Sequence, residues 1–369
     1  MSDNKSNKGD VIKLDTSRRR LLKTFGGAGV GITGFKSAIE TVTGESHDGV
    51  PVVYTRDKQG RPEQVRLVPQ ERYRRLKVFC DLDQQSFFEH HSNVNEITLV
   101  QHSEKEEDIG IQLQVDENSA REQQKLPDEI YNVPVSYEEK SVGYCGFDDG
   151  DDGPCDNPKN EARICEQFDG LKGGSQISDM SSFGTLCLVA KDKDEDYKKI
   201  ITAEHVMDES ANNIHHPSYT CSSSKTIGEY DDDDTDDDIW AAKLDSDSAS
   251  ADIGETVDEI PNITGYWTWE GLSDYTIRNS VQCLVAGART KIKENYANST
   301  SYTGSYVDHQ VVYGSDKAEK GDSGAPYVDF DGKLVSMNNA CRYSEYPPDA
   351  WDVGTQAEYV LDAVNATLD

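Results

Sequence analysis

The stretch Gly321-Asp322-Ser323-Gly324-Ala325-Pro326-Tyr327-Val328-Asp329-Phe330 sets a hydroxyl between two glycines and runs it directly into a strand-like apolar segment. A turn that feeds a strand presents its side chain at the strand mouth rather than in mid-core. Glycine at 321 lets backbone N–H groups turn outward into an anion-binding nest shared with the N–H of Ser323, which suits a tetrahedral oxyanion. Ser323 is therefore the candidate nucleophile, and Gly321 and Ser323 are the candidate oxyanion donors. Alone, the tetrapeptide could still be an ordinary turn.

Two upstream segments decide the matter. In Ile200-Ile201-Thr202-Ala203-Glu204-His205-Val206 an apolar strand runs into a small residue and then a histidine, so the imidazole sits at a strand end. In Asp238-Ile239-Trp240-Ala241-Ala242-Lys243-Leu244 an aspartate heads an apolar strand, where it can be buried against a histidine Nδ1–H and fix the tautomer. Asp236 and Asp237 compete for that role within the acidic run 231–238, but Asp238 alone directly precedes the buried segment.

Around these segments the chain from Gly173 onward reads as short strands separated by polar turns: 184–190, 199–202, 240–244, 281–286, 310–312, 325–330 and 333–337. That pattern indicates an all-β barrel or sandwich. At 355–368 the apolar residues Tyr359, Val360, Ala363, Val364 and Leu368 fall at helical spacing, predicting a closing amphipathic helix. Residues 50–140 read as a separate small α+β domain, with two-residue alternation in Ile109, Ile111, Leu113 and Val115. Residues 141–172 form an acidic, cysteine-containing linker. Its aspartates at 148–152 could bind calcium, although the spacing is not that of an EF-hand loop and a solvated turn is the favoured reading. No metal site and no cofactor is expected.

The formal net charge of −32, from 69 acidic and 37 basic residues, is spread over nearly the whole chain. Such a surface stays hydrated where salt screens charge, and repels itself where it does not. A salt-adapted protein is the expectation, and nucleic acid is excluded as a partner because phosphate binding needs a basic surface. Residues 1–49 comprise a signal and a polar spacer. Ser17-Arg18-Arg19-Arg20-Leu21-Leu22-Lys23 resembles the twin-arginine export signal, and the glycine-rich segment after it is too short to span a bilayer. This implies transient contact with the twin-arginine translocase and a secreted or extracytoplasmic location. Eight cysteines suit such a protein, and the 105 possible pairings stay open on sequence alone. With no heptad run or long exposed apolar segment, a monomer is expected.

Thr-Ala-x-His, Asp-Ile-x-x-x-x-Leu and Gly-Asp-Ser-Gly-x-Pro, in that order, resemble the trypsin/chymotrypsin family of serine peptidases, over residues 173–369. The resemblance implies a mainly β fold: two antiparallel six-stranded β-barrels with the active site in the cleft between them and a C-terminal helix, here preceded by the small α+β domain. It also implies a serine endopeptidase acting on protein or peptide substrates, with His205, Asp238 and Ser323 as the triad. The alternative is a catalytically idle peptide-binding protein of the same fold at the cell surface. Aligned on the nucleophile motif, Lys317 falls near the base of the first subsite, with Asn338 and Asn339 along its wall. A solvent-facing Lys317 is an equal alternative. Cys187 and Cys221 bracket His205 in the manner of the family's histidine-loop disulfide, and Cys283 with Cys341 is a second suggested pair. The chain lacks the Arg-Ile-Val-Gly-Gly activation sequence of animal zymogens, which leaves the partner of Asp322 to be found and residues 50–140 as a pro- or accessory domain.

Overall fold

The computed structural model describes residues 49–369 apart from 106, 116–125, 141, 146–169, 180–181, 208–212, 218–220, 246–250, 259, 304–306, 316, 320 and 346–347. The export motif, the aspartates at 148–152, Cys155 and Cys165 lie outside the described residues.

The amino-terminal region contributes β1 (Gly49–Asp57), β2 (Pro62–Pro69), α1 (Gln70–Cys80), α2 (Gln84–His90), β3 (Val94–Gln101), β4 (Ile109–Val115), β5 (Glu129–Ile130), β6 (Val133–Glu139) and β7 (Val142–Cys145). The middle region follows with β8 (Leu171–Gly173), β9 (Gln176–Ser178), β10 (Phe183–Thr185), β11 (Leu188–Asp192), β12 (Lys198–Thr202), β13 (Asn213–His216), β14 (Lys225–Asp234), β15 (Ile239–Leu244) and β16 (Ala251–Thr256). The last third holds β17 (Gly265–Trp267), α3 (Trp269–Thr276), β18 (Val281–Gly287), β19 (Lys291–Thr303), β20 (Gln310–Tyr313), β21 (Pro326–Asp329), β22 (Lys333–Glu345), β23 (Pro348–Gln356), α4 (Ala357–Ala363) and β24 (Ala366–Thr367).

The fold is mainly β, with one closed six-stranded barrel and one curled sheet. The barrel is the ring β22-β21-β18-β19-β20-β23, which returns to β22. The curled sheet runs β10-β9-β13-β14-β15-β12-β11-β24 and does not close. The short carboxy-terminal strand β24 takes the free side of β11, pairing Lys191 with Thr367 and Asp192 with Ala366. The curled sheet is packed on aliphatic side chains, with Leu188, Ile200, Ile201, Ile239 and Ala242 all fully buried, and α4 adds Val360 and Leu361 to the same cluster.

The expected helix at 355–368 is shorter than its periodicity. Thr355 and Gln356 belong to β23, α4 stops at Ala363, and Asn365 turns left-handed at φ 50°. The expected strand 184–190 is broken at Leu186-Cys187, whose N–H groups bond to Ser175 and to Ile201 rather than to one partner strand.

The amino-terminal region is joined to the barrel by strand pairing. Strand β1 pairs with β17 and β3 pairs with β19, so both join the sheet that contains the barrel. The two regions share one core, in which Phe79 stacks on Trp269 with ring centroids 5.9 Å apart and packs on Tyr302 at 4.9 Å. Two buried ion pairs cross between them: Arg72 Nε with Asp274 Oδ1 at 2.5 Å, and Arg342 Nη1 with Glu96 Oε1 at 2.9 Å.

Both suggested disulfides are overturned. Cys187 and Cys283 are free, buried thiols. Each lies deep in apolar packing, and burial pushes both thiols well above the usual range, which leaves them inert. Cys221 and Cys341 are disulfide-bonded, so neither has the partner suggested for it.

Candidate functional site

Strand β12 is buried from Lys199 to Thr202 and delivers the chain through Ala203 into a single 3₁₀ turn, Glu204–Val206. His205 is thereby held at a strand end. Its backbone N–H donates to Asp238 Oδ1 at 2.9 Å, and ring Nδ1 lies 2.8 Å from Asp238 Oδ2. A carboxylate can only accept here, so Nδ1 carries the proton and Nε2 is the basic nitrogen.

Asp238 is 6% exposed and adopts a left-handed backbone at φ 53°, directly before β15. Asp237 faces the other way and accepts from the N–H of His309 at 2.9 Å, with His309 Nδ1 at 3.0 Å. Consecutive aspartates thus grip two histidines through the same pair of contacts.

Asn339 lies at a bulge in β22: Asn338 pairs with Gly354 and Ala340 with Val353, leaving Asn339 as the extra residue. Bulges re-aim side chains beside functional sites. The Asn339 amide Nδ2 donates to Asp238 Oδ2 at 2.7 Å, and its Oδ1 accepts from the Thr355 N–H at 2.7 Å. Asn339 is therefore committed to the aspartate and does not wall a subsite. Nothing in its sequence neighbourhood announces this, because the contact depends on a one-residue register shift.

Ser323 comes from the barrel side. Gly321 at φ 99° and Gly324 at φ 88° flank it, both in the left-handed region that favours glycine. A Cβ at Gly324 would lie 2.1 Å from the Thr185 carbonyl and 2.3 Å from Thr202 Oγ1, at the end of the strand that leads to His205. Gly184 fills the space between the two halves: a Cβ there would meet Val206, the neighbour of His205, at 2.5 Å and the Ser323 carbonyl at 2.9 Å. The turn is tied down by the Thr185 N–H to the Ser323 carbonyl at 2.8 Å and by Thr185 Oγ1 to the Gly321 carbonyl at 2.9 Å. Ser323 is 2% exposed, and its Oγ makes no hydrogen bond among the described residues. Such bonds commonly tighten only when substrate is seated.

Asn338 is also inside rather than on a pocket wall. Its Nδ2 donates to the Asp322 carbonyl at 3.2 Å, and the Ala325 N–H donates to the same oxygen at 2.8 Å. With that carbonyl held on one side, the planar trans peptide sends the Ser323 N–H the opposite way. Lys317 keeps an exposed side chain, and its N–H is held by Asp352 Oδ2 at 2.9 Å, so the solvent-facing alternative is the one observed.

Asp322 needs no new amino terminus. Its fully buried carboxylate accepts from the N–H groups of Arg289 at 2.7 Å, Thr290 at 3.2 Å and Glu319 at 2.9 Å. Burial still raises its pKa, opposed by these bonds. Among the described residues no cluster of His, Cys, Asp and Glu could hold a metal ion.

No family model and no curated protein matches the chain. Solved structures do resemble it: a glutamic acid-specific serine protease described as using a histidine triad in substrate binding (14% identity, 53% of this chain, 99% of that one, TM-score 0.38); a Nocardiopsis protease (13%, 53% and 97%, 0.39); and an alpha-lytic protease homologue (12%, 54% and 99%, 0.40). These neighbours are trypsin/chymotrypsin-fold serine proteases.

Proposed function

We propose that the chain is an exported, salt-adapted serine endopeptidase that hydrolyses peptide bonds through an acyl-enzyme at Ser323. What supports this reading is a bonded His205–Asp238 pair on one sheet and, on the other, a buried serine hydroxyl in a turn with two left-handed glycines, with Gly184 packed between Val206 and the Ser323 carbonyl. Ser323 Oγ attacks the carbonyl carbon as its proton passes to His205 Nε2. The oxyanion is received by the N–H groups of Gly321 and Ser323, a contribution of about 3–4 kcal/mol per donor in enzymes of this kind. Collapse expels the amine, protonated by His205, and water reverses the sequence to free the acid. Asp238 remains a carboxylate throughout and holds the imidazole.

Fluorophosphonate labelling in high salt tests the assignment. The expected result is one adduct, on Ser323, absent from Ser323→Ala, with peptide hydrolysis lost in parallel. A folded protein that takes no label points instead to an idle peptide-binding protein.

The salt requirement follows from a net charge of −32. At low ionic strength the carboxylates repel over a Debye length of about 30 Å at 0.01 M, against about 3 Å at 1 M. Dialysis from molar salt to 10 mM is expected to lower the melting temperature by ten degrees or more and to abolish hydrolysis; an unchanged melting temperature refutes salt adaptation.

A further inference from the structure

We propose that β7 occupies, within the same chain, the sheet edge on which a polypeptide substrate would dock, holding the enzyme self-blocked toward extended chains. This rests on the peptidase reading and specifies how that site meets its substrate.

Strand β22 has two edges. One is covered by β23 from Ser336 to Glu345. On the other, β21 covers Leu334 to Met337, with Pro326 opposite Met337. The turn that carries Ser323 takes the next residue: the Gly324 N–H donates to the Asn338 carbonyl at 2.7 Å, and the Asn338 N–H donates to the Ala325 carbonyl at 2.8 Å. Then β7 begins, with Cys145 opposite Cys341, Tyr144 opposite Arg342, Gly143 opposite Tyr343 and Val142 opposite Ser344. Between the nucleophile turn and β7, Asn339 and Ala340 face no strand on this edge among the described residues.

Direction matters as much as position. Both β21 and β7 run antiparallel to β22. From Val142 to Cys145, β7 advances from Ser344 toward Cys341, and so toward Ser323. An extended peptide added to the open edge in the same sense lies in line with β7. Its scissile carbonyl is then at the Ser323 end, and its amino-side residues extend toward β7. Antiparallel pairing matches one residue with one, so about two substrate residues fit opposite Asn339 and Ala340 before the chain meets Cys145. Strand addition of this kind draws its affinity from main-chain hydrogen bonds, and those of 341–344 are already taken.

In the described sheet, β7 pairs with β22 alone, through one short ladder whose residue nearest the nucleophile turn, Cys341, is disulfide-bonded.

The test compares two chromogenic peptides identical at the cleaved bond, one with two residues on its amino side and one with five, in high salt. With the natural chain, kcat/KM for the long peptide is expected to be about tenfold or more below that for the short one, mainly through KM. Gly143→Pro, which removes an N–H and rigidifies the backbone of β7, is expected to raise the long-peptide value about tenfold and leave the short-peptide value within about twofold. A natural chain that cleaves the long peptide as well as or better than the short one overturns the proposal, and that comparison needs no variant. So does Gly143→Pro with an unchanged long-to-short ratio when hydrogen exchange shows 341–344 newly unprotected. Absence of both hydrolysis and fluorophosphonate labelling is a different failure: it removes the peptidase reading and, with it, this one.

Discussion

Asp238→Asn will leave the protein folded and lower kcat by about four orders of magnitude, the cost of a wrongly oriented histidine tautomer in triads of this geometry. The contacts explain why an isosteric change does so much. Asp238 Oδ1 accepts from the His205 N–H at 2.9 Å, while Oδ2 receives both Nδ1 at 2.8 Å and the Asn339 amide at 2.7 Å. An asparagine has one oxygen and one NH₂. If the oxygen serves His205, the NH₂ confronts the NH₂ of Asn339. If it serves Asn339, the NH₂ takes the place of Oδ1, where it confronts the His205 backbone N–H and lies beside the imidazole Nδ1, favouring the ring proton on Nε2, which can then no longer accept from Ser323. The reciprocal change supplies the check. In Asp238→Asn/Asn339→Asp the NH₂ at 238 finds an acceptor at 339, whose other oxygen still receives the Thr355 N–H. The double variant is expected to recover about tenfold over the single one, because directly bonded residues couple non-additively. A single variant with more than a tenth of normal kcat, or a double variant no better than the single, removes Asp238 from its proposed role.

The candidate triad residues were readable because each stands where a strand begins or ends. Local sequence reports such boundaries well: Ile200 to Thr202 before His205, Ile239 to Leu244 after Asp238, and the paired glycines around Ser323. What supports them was hidden, since it depends on register. Asn339 reaches Asp238 only through a bulge, and Asn338 turns inward to the Asp322 carbonyl, so alignment along the chain placed both on a pocket wall instead. The acidic run misled in another way. Asp231 to Asp234 close strand β14, with Asp232 to Asp234 pairing with the apolar β15, although aspartate is a poor strand former. Cross-strand pairing overrides propensity there, and the Lys199 ammonium, almost wholly buried, donates to Asp231 Oδ2 at 2.7 Å. The amino-terminal region looked separable because alternation such as that of 109–115 reveals a half-buried strand but not the strand against which it lies.

That partner is the barrel, and it carries the second large effect. Residues 170–369 produced without 49–145 are expected not to accumulate as a folded, soluble protein. Strands β17 and β19 would lose the neighbours that now cover their edges. Trp269 and Tyr302 would lose Phe79, and Trp267 would lose Tyr54, whose ring lies 6.2 Å away. Exposing a large buried side chain costs roughly 1.5–3 kcal/mol, and several such exposures together exceed the 5–15 kcal/mol on which a folded domain typically stands. In the full chain, Arg342→Ala isolates one part of this coupling. It strands the Glu96 carboxylate, 2% exposed, without its ion-pair partner, a loss of about 3–5 kcal/mol readable by chemical denaturation. The Arg342 guanidinium holds the Glu96 pKa below its usual value, so this contribution is present above the unfolded-state pKa and fades as pH falls through the folded one. The gap between natural and Arg342→Ala stabilities should therefore narrow in acid. A fragment of 170–369 that is soluble, folded and labelled at its serine would show instead that the amino-terminal region is a removable pro-domain. Labelled natural enzyme that still contains 49–145 after secretion is what a shared core requires.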